Sequence, residues 1–94
     1  MRNYNQVKIT DYNIIYYLDN KAHRTDGPAY ICYYYNTGQV EIECYCINGK
    51  RHRTDGPAFI GYKLDGIIHS KLYYLNGECL PKEKFDKQCE TITK

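Results

Sequence analysis

The residues of this 94-residue chain best suited to chemistry come in duplicate. His-Arg-Thr-Asp-Gly-Pro-Ala occupies residues 23–29 and again residues 52–58. Histidine is the usual general base near neutral pH, and an aspartate close by can orient it. His23 with Asp26, and His52 with Asp55, are therefore the candidate acid–base pairs. The only hydroxyls that recur beside them are Thr25 and Thr54. No hydrolase motif flanks either copy, and the chain holds neither a G-x-x-x-x-G-K phosphate loop nor an H-E-x-x-H helix. The same catalytic site is not expected twice in so small a chain. No residue is assigned a catalytic role, and an enzyme is not expected.

Metal chemistry needs three or four converging ligands. Ligands on successive copies would stand two strand spacings apart, roughly 10 Å, too far for one ion. The cysteines at 32, 44, 46, 79 and 89 are odd in number and form no C-x-x-C pair. Cys44 and Cys46, the nearest two, are read as pointing to opposite faces of a strand and so unable to hold one metal. Reduced thiols that behave as small apolar residues are expected, with no metal and no cofactor.

A structural reading accounts for more of the heptad. Gly27 and Gly56 would supply a positive φ. Pro28 and Pro57 would start the next strand, where no ladder N–H is needed. Asp26 and Asp55 would bond the backbone ahead as Asx-turns. Ala29 and Ala58 would let chains pass closely. His23, Arg24, His52 and Arg53 remain without a firm structural task; they would pair with Asp or stack on a Tyr at the approach to the corner.

The duplication extends beyond the heptad and fixes the elements that must carry it. His23 and His52 define a period of 29, at which Tyr16 matches Tyr45, Leu18 matches Ile47 and Lys21 matches Lys50. A broken third copy follows at a shift of 28, with Tyr73 and Leu75 continuing the rows. A fixed period of this size marks a repeat array. The pairs Asp19-Asn20, Asn48-Gly49 and Asn76-Gly77 suit tight hairpin turns. Between turns lie the strand-like runs Tyr30–Tyr35, Val40–Ile47, Phe59–Leu64 and Ile67–Leu75. Positions 31, 33 and 35, with 60, 62 and 64, stay large and apolar or aromatic, and are expected on the better buried face. Pro81–Gln88 reads as a short amphipathic helix anchored by Phe85, capping the sheet.

The expected fold is thus all-β: an antiparallel β-meander of about 2.5 tandem repeats of 28–29 residues, closed by a C-terminal helix. Residues 1–13 form an N-terminal cap, 14–43 repeat 1, 44–71 repeat 2, 72–80 a partial repeat 3, and 81–94 the helix and tail.

The charge is nearly balanced, 13 basic against 11 acidic residues, which argues against a dedicated nucleic-acid binder. No apolar run approaches the ~18 residues of a membrane span, and the first residues lack the apolar core of a signal peptide. A cytoplasmic location is expected. Tyr dominates the aromatics, with 12 Tyr, 2 Phe and no Trp. Tyr is large and tolerates water, so Tyr30, Tyr34 and Phe59, with Tyr17 and Tyr74, form the candidate protein-binding surface. Self-association to a homodimer or higher is expected through sheet edges or Tyr faces. The alternative is an anion site for phospholipid headgroups or single-stranded RNA at Lys50, Arg51, His52 and Arg53.

The segments YYLDNKAHRTDGPAYICY (16–33) and YCINGKRHRTDGPAFIGY (45–62) resemble the NG-K-x-H-R-x-DGPA repeats of proteins from giant DNA viruses, virophages, other mobile elements and some phages. That group is similar to MORN (membrane occupation and recognition nexus) repeats. YYLNGECLPKEKFDK (73–87) resembles the terminator of such chains. The resemblance implies an elongated antiparallel sheet that mediates protein contacts, without catalytic residues, in host cytoplasm or virion. Membrane-lipid binding is the role for which MORN repeats are named.

Overall fold

Tight turns set the architecture. Asp19 and Asn20 have φ of 51° and 67°, Asn48 and Gly49 51° and 81°, and Asn76 and Gly77 51° and 86°. Positive φ at both central residues defines the type I′ turn, whose twist matches that of the strands it joins. Asn, Asp and Gly tolerate this left-handed region better than other residues, so the sequence pairs are the turns themselves.

The computed structural model of the chain describes residues 3–93; residues 1, 2 and 94, the outermost parts of the expected cap and tail, lie outside them. The strands are β1 (Gln6–Ile9), β2 (Asn13–Leu18), β3 (Lys21–Ala22), β4 (Tyr30–Tyr33) and β5 (Val40–Cys44). They continue as β6 (Cys46–Ile47), β7 (Lys50–Arg51), β8 (Phe59–Tyr62), β9 (Ile68–Leu75) and β10 (Glu78–Leu80), and the chain ends in α1 (Lys82–Thr93). The main sheet runs β1-β2-β4-β5-β8-β9-β10, with β3 paired to β2 and β6-β7 forming a separate hairpin. Every pairing is antiparallel. The fold is therefore an all-β meander with one C-terminal helix.

Each repeat contributes a long outgoing strand, a type I′ turn, a short strand, the heptad corner and a return strand. The one-residue change of period falls in a loop. Tyr34 N–H bonds Gln39 C=O across four residues, whereas Lys63 N–H bonds Ile67 C=O across three.

The molecule measures 42 × 34 × 18 Å, the thickness of a single sheet plus the helix. The buried side chains fall into two clusters. Leu75, Leu80, Phe85 and Cys89 pack with Tyr73 where α1 lies on β9. Ala29, Cys44 and Cys46 pack with Ala22, Tyr30 and Phe59. Burying Phe85 supplies about 2–3 kcal/mol, enough to hold an amphipathic helix that would be marginal alone. That helix is longer than the expected 81–88, and Pro81 precedes it as the residue whose carbonyl accepts from Phe85 N–H.

Several expectations are corrected. The return strands stop at Tyr33 and Tyr62, so Tyr35 and Leu64 lie in loops, 79% and 48% exposed. The run 40–47 is broken at Tyr45. Within the set expected to be better buried, only Ile60 is buried; Ile31, Tyr33 and Tyr62 are half-buried, as are Tyr30, Cys32, Tyr34 and Phe59. A one-layer sheet has no second layer to bury either face fully. Residues 6–9 form a paired edge strand, with Val7 opposite Tyr16 and Ile9 opposite Ile14. Among the described residues, no helix is long and apolar enough to cross a membrane.

Candidate functional site

The two heptads build the same corner. Arg24 Nε donates to Asp26 Oδ1 at 2.9 Å, and Arg53 Nε donates to Asp55 Oδ1 at 2.9 Å. Their Nη1 groups donate to the carbonyls of Pro28 (3.3 Å) and Pro57 (3.0 Å). Each guanidinium also lies on a tyrosine of the outgoing strand, Arg24 4.1 Å from the Tyr16 centroid and Arg53 3.9 Å from that of Tyr45. The planar cation is thus fixed by a carboxylate, a carbonyl and a ring, which a lysine could not reproduce.

This fork explains the glycines, and the explanation differs from the one expected. Neither Gly27 nor Gly56 has a positive φ. A Cβ on Gly27 would come within 2.9 Å of Arg24 Cζ, and one on Gly56 within 3.0 Å of Arg53 Cζ. The glycines make room for the arginine. The aspartates likewise answer the arginine side chain two residues earlier rather than an Asx-turn amide ahead of them. Ala29 and Ala58, both 0% exposed, sit where the corner meets the ladder. Ala29 N–H donates to Cys44 C=O while its own carbonyl accepts from Tyr16 N–H. Ala58 repeats this with Leu72 C=O and Tyr45 N–H.

The histidines join one repeat to the next. His23 Nδ1 accepts from the Asn48 amide at 2.9 Å, and His52 Nδ1 accepts from the Asn76 amide at 2.9 Å. The backbone reinforces the joint: Arg24 N–H bonds Cys46 C=O, and Arg53 N–H bonds Tyr74 C=O. Gly49 N–H bonds Ala22 C=O, and Gly77 N–H bonds Arg51 C=O. The stems of Lys21 and Lys50 lie over Gly49 and Gly77, 3.5 Å and 3.7 Å from where a Cβ would stand. With Nδ1 committed to the turn and the aspartate to the arginine, His23 and Asp26 do not form an acid–base pair, nor do His52 and Asp55.

The N-terminal segment imitates a preceding corner. Asn5 N–H bonds Tyr17 C=O, the counterpart of the Arg24 bond to Cys46. The Asn5 side chain accepts from the Asp19 amide and donates to Asp19 Oδ1, closing the first turn as a histidine closes the later ones. Asn3 Oδ1 accepts from Thr25 N–H.

Cys44 and Cys46 do not point to opposite faces. Their sulfurs are 3.9 Å apart and both residues are buried. Residues i and i+2 of an extended chain share a face, so the pair is drawn together rather than apart. A hydrogen bond from Cys46 holds the Cys44 thiol below its ordinary range, with Arg51 adding to the effect against burial. Cys46 is pushed up, because it donates that bond and is buried. Among the described residues no group of three or more His, Cys, Asp or Glu is placed to hold a metal.

Strand register settles where the candidate binding residues lie. Tyr30 stands opposite Ile15 and Cys44, Phe59 opposite Cys44 and Leu72, and Tyr17 opposite Ala22. With two-residue alternation, Tyr17, Tyr30, Phe59, Leu72 and Tyr74 share one face. Arg51 lies on that face too, 5.4 Å from the Phe59 ring and 5.3 Å from that of Tyr74, donating to Tyr74 Oη at 3.0 Å. Burial pushes the Tyr30 phenol up. Tyr34 sits apart, its hydroxyl donating to Tyr62 C=O at 2.6 Å.

The four basic positions do not converge. Arg51 joins the aromatic face, Lys50 covers the Gly77 turn, His52 holds Asn76, and Arg53 is locked on Tyr45. The opposite face carries Tyr16, Tyr45 and Tyr73, and α1 packs there through Phe85 against Tyr73.

These features define an antiparallel β-repeat protein with histidine- and arginine-built joints. Comparison with protein-family models, curated proteins and solved structures returned no match.

Proposed function

We propose that the chain is a non-enzymatic repeat protein of the MORN-like group, of viral or mobile-element origin, that binds another protein through its aromatic face. One observation carries this reading: Tyr17, Tyr30, Phe59 and Tyr74 lie on one side of a single-layer sheet, with Arg51 among them, and the chain's own helix packs on the other side. Tyr, Phe and Arg are the side chains enriched where proteins meet. Leu72 extends this face, 39% exposed. A second copy of the chain is one partner this face would accept, giving a homodimer or higher.

The heptad residues support a structural role, because their functional groups are used within the joints. The dispersal of Lys50, Arg51, His52 and Arg53 gives an anion little to converge on, so headgroup or RNA binding is the weaker reading.

Capture of partners from producing cells by the wild type and by a Leu72→Glu/Tyr74→Ala variant tests the proposal. The account expects the variant to lose its partner with its melting transition retained. Capture that survives this variant but fails with Lys50→Ala would reverse the assignment. Light scattering that finds only monomer at tens of micromolar would remove self-association.

A further inference from the structure

The outgoing strand differs among the repeats at two positions that share one face. Repeat 1 has Ile15 and Tyr17 there and repeat 3 has Leu72 and Tyr74, whereas the middle copy has Cys44 and Cys46. The residue opposite the second position changes as well. Tyr17 stands opposite Ala22 and Tyr74 opposite Cys79, but Cys46 stands opposite Arg51. The middle copy alone thus combines two thiols with a guanidinium. The side chains of these three residues take no part in the hydrogen bonds that build the corners and joints.

The two sulfurs lie 3.9 Å apart, already in contact. Two residues of extended chain span about 6.6 Å, just inside the ~6.8 Å between Cα atoms that a disulfide bridges. The strand is interrupted at Tyr45, between β5 and β6, which leaves the backbone room to adjust as the bond closes. The pair is also asymmetric. A hydrogen bond from Cys46, and after it the Arg51 guanidinium, favour the Cys44 thiolate against burial. Cys46 keeps its proton, because it donates that bond. A thiolate beside a cation is the reactive form of cysteine. Cys32, by contrast, faces a carboxylate, its sulfur 3.6 Å from Glu41 Oε1. Access is narrow: Cys44 and Cys46 are 6% and 8% exposed, and the neighbouring Arg51 is exposed. A molecule of a few atoms can pass beside Arg51 where a protein thiol cannot.

We infer that Cys44 and Cys46 are a dithiol oxidised by hydrogen peroxide, with Cys44 as the attacking sulfur and Cys46 as the resolving one. In the first step the Cys44 thiolate attacks one peroxide oxygen. A sulfur–oxygen bond forms, the oxygen–oxygen bond breaks, and hydroxide leaves to take a proton from solvent. Sulfur is oxidised to the sulfenic acid and peroxide is reduced to water. In the second step the Cys46 sulfur attacks the Cys44 sulfur. The disulfide forms, the sulfur–oxygen bond breaks, and the hydroxyl leaves with the Cys46 proton as a second water. A disulfide at the long end of its geometric range is readily reduced by thiols, so the modification is reversible. The chemistry needs only the two sulfurs and Arg51, and it does not rest on the protein-binding role proposed above.

The test treats the reduced, full-length chain with hydrogen peroxide, blocks the remaining thiols with N-ethylmaleimide in denaturant, and maps the digest by mass spectrometry. Cys44 and Cys46 should lose the mass of their thiol hydrogens and take up no maleimide, at peroxide doses that leave Cys32 and Cys79 largely alkylated. In Cys46→Ser, dimedone should trap sulfenic acid at Cys44. In Cys44→Ser, none should be trapped at Cys46. Arg51→Met should slow oxidation of Cys44 about tenfold. Dimedone present during oxidation of the unaltered chain should label Cys44 ahead of Cys46, which keeps the test decisive if a variant does not fold. Cysteines that serve only as packing would stay alkylatable after the exposed Cys79 is oxidised, and that result would overturn the inference. So would sulfenic acid trapped first at Cys46, or disulfides found only between chains.

Discussion

The imidazole of His23 reaches out of its own repeat to the turn of the next, where its Nδ1 accepts the backbone amide of Asn48 at 2.9 Å. His52 makes the same bond to Asn76 one repeat later, also at 2.9 Å. A type I′ turn has amides that point away from its own hairpin, and here a side chain from the neighbouring repeat satisfies one of them. The repeat cannot close this bond within itself. It needs a neighbour, which is what makes the array cooperative.

An acceptor at Nδ1 fixes the tautomer. Both His23 and His52 should carry their proton on Nε2, and long-range nitrogen–proton spectra should show that pattern for these two imidazoles at neutral pH. A proton on Nδ1 of either ring contradicts the bond.

Gly27→Ala should destabilise the chain by about 1–2 kcal/mol, because the new methyl displaces an arginine held at three points. In an Arg24→Ala background the same substitution should cost less than ~0.5 kcal/mol. Equal costs in the two backgrounds, read from denaturant melts, would mean that backbone freedom rather than space makes this residue glycine.

Tyr62 should link stability to alkaline pH. Burial, and after it the 2.5 Å hydrogen bond that its hydroxyl donates to Glu43, together raise its phenol to about 12. A folded-state value above the ordinary value of 10.0 means that the folded chain holds this proton more tightly than the unfolded chain does. The resulting stabilisation is complete below about pH 10 and is lost between about pH 10 and 12. Tyr62→Phe should flatten that part of the pH–stability profile, and an unchanged profile would contradict the account.

Phe85→Ala should cost about 3–5 kcal/mol and release α1, since Phe85 is the ring that seals Leu75, Leu80 and Tyr73. Circular dichroism should lose its helical part before the sheet melts. Retention of the helix signal would mean that α1 is held by something other than this cluster.

Much of this architecture was legible because it is written more than once. The period of 29, the paired turn residues and Pro81 with Phe85 carry their own local physics, and the strands, type I′ turns and helix follow them. What was not legible depends on where a distant side chain goes. Gly27 suggests a positive φ until Arg24 is seen folded back over it. His23 has no partner in its own repeat, so its task appears only when Asn48 is brought beside it. Asn5 shares no letter with the heptad, yet it takes over the heptad's bonds to the neighbouring turn. The Cys44–Cys46 placement was available from strand alternation alone, since i and i+2 share a face. Tyr35 and Leu64 continued an apolar alternation past the point where the loop begins, and the sequence pattern does not mark that boundary.

The central claim is that the heptad repeats because the joint between repeats repeats. Hydrogen exchange of the Asn48 and Asn76 amides tests it directly. Both should be protected in the wild type. His23→Ala should release Asn48 while Asn76 stays protected, and His52→Ala should do the reverse. An Asn48 amide that exchanges freely in the wild type, or keeps its protection in His23→Ala, would contradict the claim.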